Sequence, residues 1–117
     1  MPNSKRYDLE DRTFAYAKRV IAFIRNLPKT IANVEVMKQL VKASGSVGAN
    51  YIEANEAVSR NDFKYRIKIC RKESKESRYW LRLLELRDAE QEEERQALVQ
   101  EATELMKIFG SILQKSK

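Results

Sequence analysis

Six cations recur at Lys64, Lys68, Arg71, Lys75, Arg78 and Arg82, in steps of four, three, four, three and four. At 3.6 residues per turn this spacing puts all six on one face of a helix, over about 27 Å at 1.5 Å per residue. A stripe of that length and sign has the chemistry to meet several phosphates, whose neutralisation releases condensed counterions and gives binding that weakens with salt. The competing reading is a solvated face that keeps the protein soluble. The excess charge is local: residues 60–87 hold ten Lys/Arg against four Asp/Glu, whereas residues 88–117 are net acidic.

Two further polar sets have helical i,i+3 spacing, Asn50 with Glu53 and Glu73 with Glu76. Oxygen ligands of this kind can hold a hard cation or act as an acid and base pair. Set between apolar positions, they are read instead as structural hydrogen-bonding groups. Glu73 and Glu76 fall away from the cations, with Arg66 or a neighbouring subunit as candidate partners. The chain has no histidine, which excludes a Ser-His-Asp triad, a Cys-His pair and the Glu-x-x-His pattern of di-iron bundles. Its one cysteine, Cys70, rules out an internal disulfide and a thiolate zinc site, and its apolar neighbours mark it as a packed, inert thiol. Gly45 and Gly48 are followed by no Walker lysine and no G-x-G-x-x-G pattern, so they do not read as a phosphate loop. The inventory argues against an enzyme and calls for no cofactor or metal. Adjacent Tyr79 and Trp80 point about 100° apart, Trp80 toward the core and Tyr79 toward the ridge, where covering apolar surface is the reading preferred over stacking on a base.

The elements that must position these residues are all helical. Only three Gly and two Pro in 117 residues, 34% charged residues and sustained periodicity of three and four leave no strand signal. The first helix is expected over 8–27, N-capped by Asp8 with Asp11 in its first turn and ended by Pro28. Its stripe is Leu9, Thr13, Tyr16, Val20, Phe23 and Leu27, widened by Ala17, Ile21 and Ile24. The second, over 33–57 with Asn33 as N-cap, turns Met37, Leu40, Val41, Ser44, Val47, Tyr51 and Ile52 inward. Gly45 and Gly48 each cost it about 1 kcal/mol relative to alanine. The expected compensation is burial of Ser44, Gly45, Gly48 and Ala49 in close approach to the third helix or to a neighbouring subunit.

The third helix, over 60–87, begins at the S-x-x-D sequence Ser59 to Asp62. It buries Phe63, Ile67, Cys70, Ser74, Ser77, Leu81 and Leu84, flanked by Ile69 and Trp80, with Ser74 and Ser77 forming a thin waist. The fourth, over 91–114, starts in the acidic run 90–94 and presents Leu98, Ala102, Leu105, Phe109 and Ile112, with residues 114–117 frayed. Short connections make this an all-α, antiparallel up-down-up-down four-helix bundle, a single domain over 1–117. No apolar run approaches the roughly 20 residues of a membrane span, and the basic start lacks the apolar core of a secretory signal, so a cytoplasmic location is expected.

Three runs carry a family resemblance: Ser46-Val47-Gly48-Ala49-Asn50-Tyr51-Ile52-Glu53-Ala54, Asp62-Phe63-Lys64-Tyr65-Arg66-Ile67-Lys68-Ile69, and Lys72-Glu73-Ser74-Lys75-Glu76-Ser77-Arg78-Tyr79-Trp80-Leu81. With Asp8-Leu9-Glu10 near the start, they resemble the four-helix-bundle family named for proteins encoded in intervening sequences of 23S ribosomal RNA genes. Gly48, Asn50, Glu53, Glu73, Glu76 and Trp80 fall in these runs and, with nearby Gly45, are read as structural motif residues. The resemblance covers nearly the whole chain and implies a bundle that assembles into a ring-like homopentamer and binds nucleic acid, RNA before DNA. The related accessory variability protein of diversity-generating retroelements is a basic pentamer that associates with a reverse transcriptase and with nucleic acid. Two classes of function follow. One is a nonenzymatic RNA-binding oligomer that contacts phosphates through its third helix without reading sequence. The other is an interaction scaffold or accessory subunit, for example of a reverse transcriptase, whose cations serve solubility or subunit contacts.

Overall fold

Apolar residues three and four apart commit each segment to bury one stripe, and four such stripes close on a common core. In the computed structural model, which describes residues 4–116 with side chains from Leu9, these are α1 (Ser4–Ile24), α2 (Ile31–Asn55), α3 (Arg60–Leu83) and α4 (Ala89–Lys115). No strand occurs among the described residues. The sequence readings at residues 1–3 and 117 lie outside that range. Each helix packs on two others in the cyclic order α1, α2, α3, α4, giving a body of 45 × 27 × 19 Å. Cross-helix pairs run in opposite register: Arg12 meets Glu101 while Arg19 meets Glu94, and Cys70 meets Val47 while Glu85 meets Asn33. That is the antiparallel arrangement expected for short connections.

The core follows the stripes closely. Leu9, Thr13, Tyr16, Val20, Phe23 and Leu27 are all buried, as are Leu98, Ala102, Leu105 and Phe109 of α4. Not all of the residues expected to face the core do so: Ile21, among those expected to widen the first stripe, and Val41 and Ile52, among the expected inner positions of the second helix, turn outward. Phe14 is 65% exposed as well. These four positions lie on the outer flank where α1 meets α2, which nothing within one chain covers.

The helix ends depart from expectation because other side chains satisfy the terminal backbone groups. The helix of α1 already includes Ser4, so Asp8 lies within it rather than capping it. It stops at Ile24, and Leu27 is held in the following turn by its amide on the Ile24 carbonyl at 3.3 Å. α2 is capped by Thr30, whose hydroxyl accepts from the Asn33 amide at 3.1 Å. Ser59 accepts from Asp62 at 3.0 Å, as its S-x-x-D spacing predicts, but α3 ends at Leu83, four residues early. There Arg95 of α4 donates to the Leu84 carbonyl at 2.7 Å and reaches those of Leu81 and Arg82. Asp88 caps α4 by accepting from Gln91 at 2.9 Å, and the helix runs one residue past its expected end, through Lys115.

Asn33, relieved of capping, is fully buried and joins the two connections at its end of the bundle. Its Nδ2 donates to the Pro28 carbonyl at 2.9 Å and the Glu85 carbonyl at 2.8 Å, while its Oδ1 accepts from the Glu85 amide at 2.8 Å. Gln91 repeats the device, accepting from the Arg87 amide at 2.7 Å and donating to the Asn26 carbonyl at 2.9 Å. The α1–α2 and α3–α4 connections are thereby tied to each other by side-chain amides.

Candidate nucleic-acid interface

α3 positions the basic ridge on its α4 side. Lys68, Arg71, Lys75 and Arg82 are exposed, whereas Lys64 and Arg78 are half-buried. Arg78 donates to the Thr103 hydroxyl of α4 at 3.2 Å, which fixes the side of α3 on which the ridge lies. None of the six forms an ion pair with a carboxylate among the described residues. Four of the six glutamates of α4 are drawn elsewhere. Glu101 takes the Arg12 Nε at 2.7 Å, Glu104 its Nη2 at 2.8 Å, and Glu94 the Arg19 Nε at 2.7 Å, all across the α1–α4 seam. The hydrogen bond that Arg12 donates to Glu101 leads the causes that raise its guanidinium pKa above the ordinary value. Glu92 pairs with Arg95 of its own helix. α4 therefore neutralises α1 and leaves the neighbouring face of α3 positive.

Of the remaining motif residues, Asn50 serves the α2–α3 contact directly. Asn50 donates to the Ser46 carbonyl at 2.9 Å and accepts from Arg66 at 3.0 Å, so Arg66 is bound to Asn50 rather than to Glu73 or Glu76. Glu73 is mostly covered and its pKa is raised, first by burial and then by Glu76, against the opposing charges of Lys72 and Lys42. Lys72 stands 3.8 Å from it. Glu53 and Glu76 are exposed. No group of three or more His, Cys, Asp or Glu side chains among the described residues is arranged to hold a metal ion. Cys70 is buried and donates to the Val47 carbonyl at 3.4 Å, and burial pushes its thiol up to about 12.

The small-residue segment corrects one expectation. A side chain at Gly48 would meet Thr13 of α1, with Cβ 3.1 Å from Oγ1, so the close approach is to α1 and not to α3. Ser44 is buried, but Gly45 has open space around it and Ala49 is exposed. The waist of α3 is filled from α1 instead: the buried Tyr16 phenol reaches Ser77, whose own hydroxyl donates to the Glu73 carbonyl at 2.8 Å. Gly48→Leu is expected to press on Thr13 and cost about 1–3 kcal/mol in thermal unfolding. Gly45→Ala should instead gain up to about 1 kcal/mol from helix propensity. Equal melting temperatures for the two variants would remove the argument for close approach at Gly48.

Two aromatic positions go beyond what the spacing conveys. Tyr65 and Tyr79 are 59% and 56% exposed. Trp80 is partly buried against the core, as expected, and holds Tyr79 edge-on at 5.0 Å between ring centres. The Arg66 guanidinium lies over the Tyr65 ring at 5.7 Å. The alternation of cation and aromatic along α3 was the available signal.

The family model for the 23S rRNA-intervening sequence protein matches residues 5–111. The chain belongs to that family. A crystal structure of a protein of unknown function from the S23 ribosomal protein family of Bacteroides thetaiotaomicron VPI-5482 is 32% identical to it. The match covers 90% of this chain and 97% of that one, with a TM-score of 0.76. A search of curated proteins finds no match. In this 23S rRNA-intervening sequence family member the bundle foreseen from the three motif runs is present, with Gly48, Asn50, Glu73 and Trp80 lying at or beside helix–helix contacts. No described helix is long and apolar enough to cross a membrane.

Proposed function

We propose that this protein is a nonenzymatic, basic oligomer that binds RNA in the cytoplasm through its phosphate backbone. The observation that carries the reading is the ridge on α3: six cations along about 27 Å, none neutralised by a carboxylate among the described residues. Phosphates are the counterions such a stripe lacks, and contacts of this kind position RNA without reading its sequence. RNA is placed before DNA on the resemblance set out above.

Self-association is supported by the opposite side of the bundle. Phe14 and Ile21 of α1 and Val41 and Ile52 of α2 are exposed together with the open Gly45, an apolar flank that a second copy of the chain would cover. The resemblance set out above makes a pentamer the expected stoichiometry, and a ring of five would present the ridge five times.

Removing Lys68, Lys75 and Arg82 together is the direct test. Filter binding to structured and single-stranded RNA at two salt concentrations should show at least a tenfold loss at the lower salt, alike for all sequences. The slope of log affinity against log salt should flatten by about two, near 0.7–0.9 per lost phosphate contact. The melting temperature should hold, because exposed charges contribute little to stability. Wild-type affinity with an unchanged slope would favour a protein-binding scaffold instead.

A further inference from the structure

Tyr65 and Tyr79 are fourteen residues apart, close to four helical turns, so they share one face of α3 about 21 Å apart. Lys68 is three residues beyond Tyr65, Lys75 four before Tyr79, and Lys72 midway between them. Residues at those separations are neighbours on a helix surface. The two rings therefore stand on the flank of the basic ridge, with cations at each side chain's elbow.

Both rings are held while more than half of each residue stays in solvent. Tyr79 rests edge-on against Trp80, itself packed on the core. Tyr65 lies under Arg66, which is fixed in turn by its 3.0 Å bond to Asn50 of α2. Rings pinned in this way lose little freedom when something stacks on them. What stacks must offer a flat π-face beside a phosphate, and a base inside a duplex does not, since its faces are already covered by its neighbours.

We propose that α3 selects single-stranded over double-stranded RNA, with unpaired bases stacking on Tyr65 and Tyr79 while the phosphates follow Lys68, Lys75 and Arg82. This deepens the RNA-binding reading and rests on it. The arrangement is indifferent to sequence, because every base has a π-face. Trp80, in contact with Tyr79, is the only tryptophan in the chain and so reports occupancy of that position by its fluorescence.

The test uses the whole protein with a fluorescently labelled 12-nucleotide single strand and a 12-base-pair duplex, titrated by anisotropy at two salt concentrations. The wild type should prefer the single strand, and binding should change Trp80 emission. Tyr65→Leu/Tyr79→Leu should lower affinity for the single strand about tenfold, abolish the preference and leave the salt slope in place, with thermal unfolding confirming the fold. Equal affinity of the wild type for both RNAs, or a double variant that keeps the preference, overturns the single-strand proposal while leaving phosphate binding intact. Failure to bind either RNA at low salt overturns both. A fall in oligomer mass by light scattering, with the preference intact, would assign the tyrosines to a subunit contact and also overturn it.

Discussion

Asn33→Ala is expected to lower stability by about 3 kcal/mol and the melting temperature by roughly 12 °C, taking about 1 kcal/mol per lost hydrogen bond and the usual unfolding entropy for a chain of this length. The carboxamide is 0% exposed and makes three bonds, to the carbonyls of Pro28 and Glu85 and from the amide of Glu85. Alanine leaves all three backbone groups without it, and the other ties between the two connections, from Gln91 and Arg87 to the Asn26 carbonyl and from Thr30 to Glu85, satisfy none of them. Asn33→Asp keeps an acceptor for the Glu85 amide but turns a carboxylate toward two carbonyl oxygens, and should be at least as damaging. Helical signal followed against temperature measures both. A shift under about 3 °C for the alanine variant would mean that the connections hold without the amide.

Tyr16→Ala is expected to cost about 3–5 kcal/mol, the range for emptying a buried aromatic site. Tyr16→Phe should be neutral or slightly stabilising at pH 7. The ring is 2% exposed and fills the space left by the small side chains of α3, yet its hydroxyl makes no hydrogen bond of good geometry among the described residues. Burial pushes the phenol up to about 12, with Ser77 drawing it partly back. Because the folded value is raised, the stability of the neutral form is fully present below the unfolded value near 10 and declines as pH rises toward 12. The Phe variant should therefore gain on the wild type above pH 10. Urea titrations at pH 7 and 10.5 make the comparison, and a loss of more than 1 kcal/mol in the Phe variant at pH 7 would show that the hydroxyl has a bond that matters.

Much of the bundle is legible in the sequence because burial has a period. The stripe from Leu9 to Leu27 and the seam from Leu98 to Phe109 are buried where the spacing puts them. Flanks are harder to read, since a helical stripe does not say which shoulder has a neighbour, and Ile21, Val41 and Ile52 sit on the shoulder that lacks one. Asn33 and Thr30 are both good caps, and only the approach of Glu85 from 52 residues away decides that Asn33 has other work. That the six cations share one helix face follows from their spacing, and the Arg78 bond to Thr103 turns that face toward α4. The ridge's freedom from carboxylates does not follow from spacing, because it depends on Arg12 and Arg19 capturing the acids of α4 on the far seam.

That seam is where the bundle is expected to open first. α1 leans on α4 more sparsely than on α2, and forked guanidinium–carboxylate contacts close the surface of that seam. Contacts of that kind are screened as ionic strength rises, whereas the interleaved side chains of α2 and α3 are not. Partial opening is expected to begin as an unlatching of α1 along the α4 edge, with α2 and α3 the last to part. Amide protons of α1 should then exchange with solvent ahead of those in α3, and faster in high salt, which would place the helix that carries the ridge in the most persistent part of the molecule.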